Sequence, residues 1–305
     1  MRRILPTAWA VLCVLGCRPG PTVRDVAVLQ TAPLHTFNER ELDVFLKWFA
    51  EKPLPMSERV AHLGRRTIGQ PYRLFLLGEY PFELYDPDPM YCLAASDCVT
   101  FVEQTYAMAL ARDWPSFFRT LQCIRYKDGQ VGLLTRNHFT EADWNINNAW
   151  LFDDVTEDVS AGEVRPMVSS INRAAFFAKF GVACNDPVQR FVSSYIPRER
   201  LPVVARRLRT ADVVEIVRGT KGSQYVSHMG LIIRDTSGSA MLLHSTKPVV
   251  REEPLLQYVD RHPDILGIKV LRLSETKHDL VRRSVSPGQR DDCVSSCSSW
   301  RKPGI

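Results

Sequence analysis

Asp97-Cys98-Val99-Thr100-Phe101-Val102-Glu103 marks the point at which the chain passes from loop to helix. Before it, from Tyr80, runs an irregular segment rich in Pro, Asp and aromatic residues. After it a helical period sets Val99, Val102, Tyr106 and Leu110 on one face, to about Arg112. Cys98 therefore falls in a first helical turn. Unpaired N–H groups and the positive end of the helix dipole favour a thiolate there. Asp97 reads equally as an N-cap and as a recognition group for a substrate amine. A thiolate so placed attacks a carbonyl when a histidine lies near.

Working outward, the N-terminal half reads as helical and the C-terminal half as β-rich. Thr36 to Glu39 fits a capping box, followed by Leu42, Phe45, Leu46 and Phe49 at helical spacing. Further helices are expected over 57–66 and 114–123, with Gly69-Gln70-Pro71-Tyr72 as a break. Thr135 to Thr156 is dense in Asn, Asp, Trp and His without a clean period, and reads as a long ordered loop. Strands are expected over 212–217, 225–234, 240–244 and 265–273, with a hairpin turn at Gly219-Thr220-Lys221-Gly222 and a short helix over 253–259. His228 opens one strand, in Ser227-His228-Met229-Gly230. His244 closes the next, in Leu242-Leu243-His244-Ser245. If the two strands form a hairpin, His228 takes the thiol proton and His244 orients it. His138 is a rival base.

Taken in order, these segments resemble the NlpC-type cell-wall peptidases, a papain-like superfamily. Departures from its pattern are Val99-Thr100 for the common Ser-Gly pair, Thr210-Ala211-Asp212 where Gly-Asp is usual, and a somewhat long spacing from His228 to His244. Arg136, His138, Phe139, Asp143, Trp144, Asn147 and Asn148 resemble a segment of a narrower branch, the N-acetylmuramoyl-L-alanine amidase-like family. The resemblance covers roughly Leu42 to Leu273. It implies an α+β fold in which a nucleophile helix packs on an antiparallel sheet, with added N-terminal helices and a long loop insert. It also implies cysteine-dependent hydrolysis of an amide in peptidoglycan stem peptides, first of all between N-acetylmuramic acid and L-alanine. Catalytic Cys98, His228 and His244, and substrate contacts at Tyr72, Asp97, Arg136, His138, Trp144 and Asn147, follow from the same likeness, with Tyr72 also serving the oxyanion. No metal or cofactor is needed. Two alternatives stand beside this reading: cleavage at the γ-D-glutamyl–diamino-acid bond by the same mechanism, and a non-catalytic lipoprotein that binds cell-wall fragments.

Bulk properties agree with an exported hydrolase. The chain has 305 residues, 45% hydrophobic and 24% charged, within the range of a globular protein. Its net charge of +5 resides in Arg2 and Arg3 and in the last 29 residues, so the part between is neutral and offers no nucleic-acid footprint. Arg2 and Arg3 precede an apolar run, Ile4 to Leu15, too short to span a bilayer. Val14-Leu15-Gly16-Cys17 then resembles a lipobox, with Cys17 lipidated and anchoring the mature chain to a membrane in the periplasm or cell envelope. The expected organisation is a signal peptide over 1–16, a tether over 17–35, a hydrolase domain over 36–276 and a disordered tail over 277–305. Eight cysteines are too few to build the fold through disulfides.

Overall fold

The computed structural model describes residues 22–220 and 222–274. The expected signal peptide, the lipidation site Cys17 and the tail lie outside the described residues. The expected tether is described from Thr22 onward, and there it is docked on the domain. Asp25 caps α1 (Val26–Leu29), and Leu29 and Leu34 are fully buried. Arg24 Nε donates to Glu41 Oε1 at 2.6 Å. Two buried leucines and an ion pair offset the entropy that would otherwise keep such a segment loose.

The helices are α2 (Glu39–Ala50), α3 (Met56–Arg65), α4 (Cys98–Leu110), α5 (Trp114–Arg125), α6 (Asn145–Asn147), α7 (Thr156–Ser160), α8 (Arg173–Phe177), α9 (Leu201–Val204) and α10 (Leu255–Asp260). The capping box of α2 is formed by Asn38 and Glu41, two residues beyond the expected one, because Thr36 instead closes a short 3-10 turn. The strands are β1 (Phe152–Asp154), β2 (Arg165–Ile171), β3 (Gln189–Pro197), β4 (Val213–Thr220), β5 (Ser223–Arg234), β6 (Ala240–Ser245), β7 (Val250–Pro254) and β8 (Gly267–Leu273). Among the described residues they form one sheet in the order β2-β3-β8-β4-β5-β6-β7, with β1 added against β8. Every pairing is antiparallel. The mixed helix-and-sheet class is therefore the expected α+β.

Helix α4 is the centrepiece. It is buried on nearly every side from Thr100 to Leu110, between α3, α5 and the sheet. Phe101, Val102 and Leu110 share one core with Met229, Leu231, Ile233 and Leu243. Each such buried side chain contributes roughly 1.5–3 kcal/mol, so the sheet fixes the helix and hence the start of the helix. The opposite sheet face carries a second core, with Ile232, Leu242, Tyr258 and Val259.

The 135–156 segment is ordered but not a loop throughout. Thr140–Trp144 makes one wide helical turn, in which Trp144 N donates to Phe139 O at 3.1 Å, and runs on into α6 and β1. The turn is held from within by Asp143, whose carboxylate accepts from Phe139 N at 3.0 Å and from Arg173 Nη2 at 2.5 Å.

Candidate active site

Cys98 is the first residue of α4, and the cap that sets it there is reciprocal. Asp97 Oδ1 accepts from Thr100 N at 2.8 Å, and Thr100 Oγ1 accepts from Asp97 N at 2.9 Å. The backbone N–H groups of Met229, Val99 and Cys98 itself lie near the Cys98 sulfur and favour its thiolate. Met229 follows His228 on β5, so the start of the helix lies beside the strand that carries the first histidine.

These donors do not produce a resting thiolate. Burial first, and the Asp97 carboxylate second, push the Cys98 thiol up to about 12 against the three N–H groups. The helix-terminus argument made from sequence is thus outweighed here, since desolvation and a like charge both penalise the thiolate.

The two histidines meet as the hairpin reading requires. β5 and β6 pair from Arg234↔Ala240 to Leu231↔Leu243. Continuing that register sets His244 opposite Gly230 and diagonal to His228, on one sheet face. His228 Nε2 lies 2.7 Å from His244 Nδ1. A Cβ on Gly230 would stand 2.9 Å from His244 Cβ, Leu242 Cδ1 and Leu243 O, so only glycine lets β6 come this close. The β4–β5 register slips between Ile216 and Val217, beside His228, a bulge that re-aims the strand at the site.

His244 Nε2 in turn lies 2.9 Å from Glu253 Oε1, at the end of β7. Arg251 Nε also donates to Glu253 Oε1 at 2.9 Å, and Arg261 pairs with Glu253 Oε2. The Tyr258 ring packs edge-on against His244 at 5.0 Å between centroids and lies 6.1 Å from His228. Burial first, then neighbouring positive groups, bring both histidines down to about 3, so both rest neutral.

Loop residues complete the surround. Ser96 Oγ donates to Gln70 Oε1 at 2.7 Å and lies 2.9 Å from Ser245 Oγ, all of it buried. Tyr72 N donates to Pro248 O and Arg73 N to Ser96 O, which holds Tyr72 between the two loops that carry Ser96 and Pro248. The Tyr72 hydroxyl is pushed up to about 12 by burial, then by the nearby Cys98 and Asp97. It stays protonated and able to donate.

Four residues expected to touch substrate are committed elsewhere. Trp144 is 1% exposed, stacks on Phe152 and donates from Nε1 to Glu103 Oε1 at 3.1 Å, so it is core and cannot serve as a platform. His138 Nε2 bonds Leu133 O at 2.7 Å and its ring packs among Phe176 and Phe177. Arg136 braces the 77–86 loop through Leu77 O at 2.8 Å, Asp86 at 2.7 Å and Glu79 at 3.2 Å. Asn147 donates to Asn137 Oδ1 at 2.7 Å and lines a separate polar cavity of about 630 Å³ with Arg136, Asp143 and Arg173. The insert packs on α4 and α5 and reaches β5 through Glu141, which accepts from Val226 N at 2.5 Å. Glu253, Ser96, Ser245 and Gln70 were not singled out from sequence. Of these only Glu253 had a signal: with β6 and β7 as a hairpin it stands diagonal to His244.

Comparison with known proteins follows the same lines. The family model described as N-acetylmuramoyl-L-alanine amidase-like matches residues 62–268. A crystal structure of a Legionella pneumophila protein superposes with a TM-score of 0.69 at 22% identity, covering 77% of this chain and 94% of its own, a likeness of fold. A crystal structure of an N-acetylmuramoyl-L-alanine amidase from Bacteroides uniformis superposes with a TM-score of 0.58 at 26% identity, covering 72% of this chain and 99% of its own. No curated protein matches the chain.

Proposed function

Because this chain belongs to the N-acetylmuramoyl-L-alanine amidase-like family, a family of cell-wall hydrolases, we propose that it cleaves the amide between N-acetylmuramic acid and L-alanine with Cys98 as nucleophile. The observation that carries the reading is the His228–His244 pair at 2.7 Å on the strands beside the Cys98 end of α4, with the Met229 N–H near the Cys98 sulfur. A nucleophile at the start of a buried helix, packed on an antiparallel sheet that carries the base, follows the logic of papain-like hydrolases.

The steps follow from the resting charges. Thiol and imidazole are both neutral at pH 7, so proton transfer accompanies attack and does not precede it. The Cys98 sulfur bonds the amide carbonyl carbon as His228 takes the thiol proton. The C–N bond then breaks as His228 returns that proton to the leaving amine. Water attacks the thioester with His228 again as base, releasing the acid and the thiol. His228 Nε2 is engaged by His244, which leaves Nδ1 for the exchange. The Cys98 N–H and the Tyr72 hydroxyl are the donors suited to the oxyanion. Asp97, half-buried beside Tyr72 and Cys98, is suited to a substrate amine as well as to its cap. Export and a lipid on Cys17 would bring the enzyme to muropeptides in the periplasm or cell envelope.

Mass spectrometry of digested muropeptides tests the bond. A free disaccharide with an intact stem peptide is the expected product. A disaccharide still bearing L-alanine and D-glutamate would move the cut to the γ-D-glutamyl bond. No product at all would favour the binding-only alternative.

A further inference from the structure

We infer that Glu253 is a positioning residue that sets the tautomers of both histidines and so leaves His228 Nδ1 unprotonated to receive the thiol proton. The inference rests on the proposed role of His228, but its first consequence is visible without substrate.

Glu253 accepts from Arg251 Nε at 2.9 Å and pairs with Arg261, and two guanidinium groups hold it ionised. An ionised carboxylate only accepts. The His244 nitrogen 2.9 Å away, Nε2, must therefore carry hydrogen. His244 is completely buried, and the Glu253 charge is already matched by Arg251 and Arg261, so its ring is neutral and its Nδ1 bears a lone pair. That lone pair is 2.7 Å from His228 Nε2, which must then be the donor. A neutral His228 with hydrogen on Nε2 has a bare Nδ1, the form a general base needs. Gaining the thiol proton at Nδ1 disturbs none of these bonds, because Nε2–H still donates to His244. Without Glu253 nothing in this chain of contacts dictates the direction, and the reverse tautomers would present an N–H to the thiol.

The test uses the full chain labelled with 15N at histidine, at pH 7.5, as wild type, Glu253→Gln and Glu253→Ala. The wild type is expected to show both His228 and His244 protonated at Nε2 and bare at Nδ1. Glu253→Gln keeps an accepting oxygen and should keep both tautomers. Glu253→Ala should mix them, and should lower kcat on muropeptides by on the order of 10²-fold with KM unchanged, the scale of a lost general base. A wild type with hydrogen on His244 Nδ1, or a Glu253→Ala protein with unaltered tautomers, overturns the inference. Should Glu253→Ala not fold, the wild-type and Glu253→Gln spectra still decide. Tautomers that follow Glu253 in a protein that cleaves no muropeptide would leave the positioning role standing and remove the proposed reaction.

Discussion

Ser96 Oγ and Ser245 Oγ lie 2.9 Å apart, and Ser245 Oγ donates back to Ser96 O at 2.9 Å. One serine sits two residues before the candidate nucleophile and the other directly follows the second histidine. The pair thus joins the two halves of the site, one from the helical half of the chain and one from the sheet, across 149 positions of sequence. Both are fully buried, so the bond is shielded from competing water.

Ser96→Ala removes the donor to Gln70 Oε1 and leaves that buried oxygen without its partner. The expected loss is about 1–3 kcal/mol of unfolding free energy, read from urea midpoints. Turnover should fall with KM little changed, since geometry suffers more than binding. A midpoint equal to wild type would mean that water replaces the hydroxyl at no cost.

Gly230→Ala puts a methyl group where His244 and Leu242 already are. β6 must move outward, and the His228–His244 bond lengthens with it. About 1–3 kcal/mol of stability should go, as for other overpacked sites, together with activity. Full activity in Gly230→Ala would show that the 2.7 Å histidine pair is not needed.

Asp97→Asn keeps a good N-cap while removing the negative charge that raises the Cys98 thiol. Iodoacetamide should therefore label Cys98 faster at pH 8 in the variant, because the thiol loses a neighbour that opposes its ionisation. In the wild type the rate should climb steadily with pH above 8, with no plateau near neutrality. Cys92 and Cys184 are also free among the described residues, so peptide mapping must separate Cys98 from the other cysteines. A thiolate plateau below pH 7 that belongs to Cys98 would contradict the neutral resting pair.

Stability should respond to acid in two stages. His138, His228 and His244 stay neutral in the fold down to about 3, whereas unfolded histidine takes a proton near 6.5. The unfolded chain then binds more protons, so these groups lose stability as pH falls from 6.5 to 3. Glu103 and Glu215 have the opposite sign: burial raises both to about 7 in the fold, so between 7 and 4.5 they gain stability as pH falls. The two sets largely cancel above pH 4.5. Below it the three histidines act without that offset, each worth at most about 1.4 kcal/mol per pH unit. Glu41, held at about 2 by Arg24, adds to the loss in the same range. Urea midpoints between pH 7 and 3 should fall gently, then steeply below 4.5. A midpoint that holds steady below 4.5 would contradict this.

The helix of Cys98 and the histidine hairpin were legible in sequence because both rest on local signals. A cap followed by a helical period marks one, and strand alternation ending in a turn marks the other. What was missed depends on register or on burial. Glu253 is one of two adjacent acids after Arg251 until β7 is set against β6, and only then does it face His244. Glu103 looks like a solvent-facing helix position, yet α4 is buried all round, so it meets Trp144 inside. The β2–β3 hairpin was missed for another reason: its strands are polar on much of both faces, so alternation gives no contrast.

The most direct measurement is turnover of purified muropeptides by the full chain, wild type beside Cys98→Ala, with both proteins shown to be folded. Cleavage is expected from the wild type and none from the variant, with a wild-type adduct at Cys98 under acid quench that has the mass of a thioester. Equal cleavage by the two proteins would contradict this, and would remove Cys98 as the nucleophile.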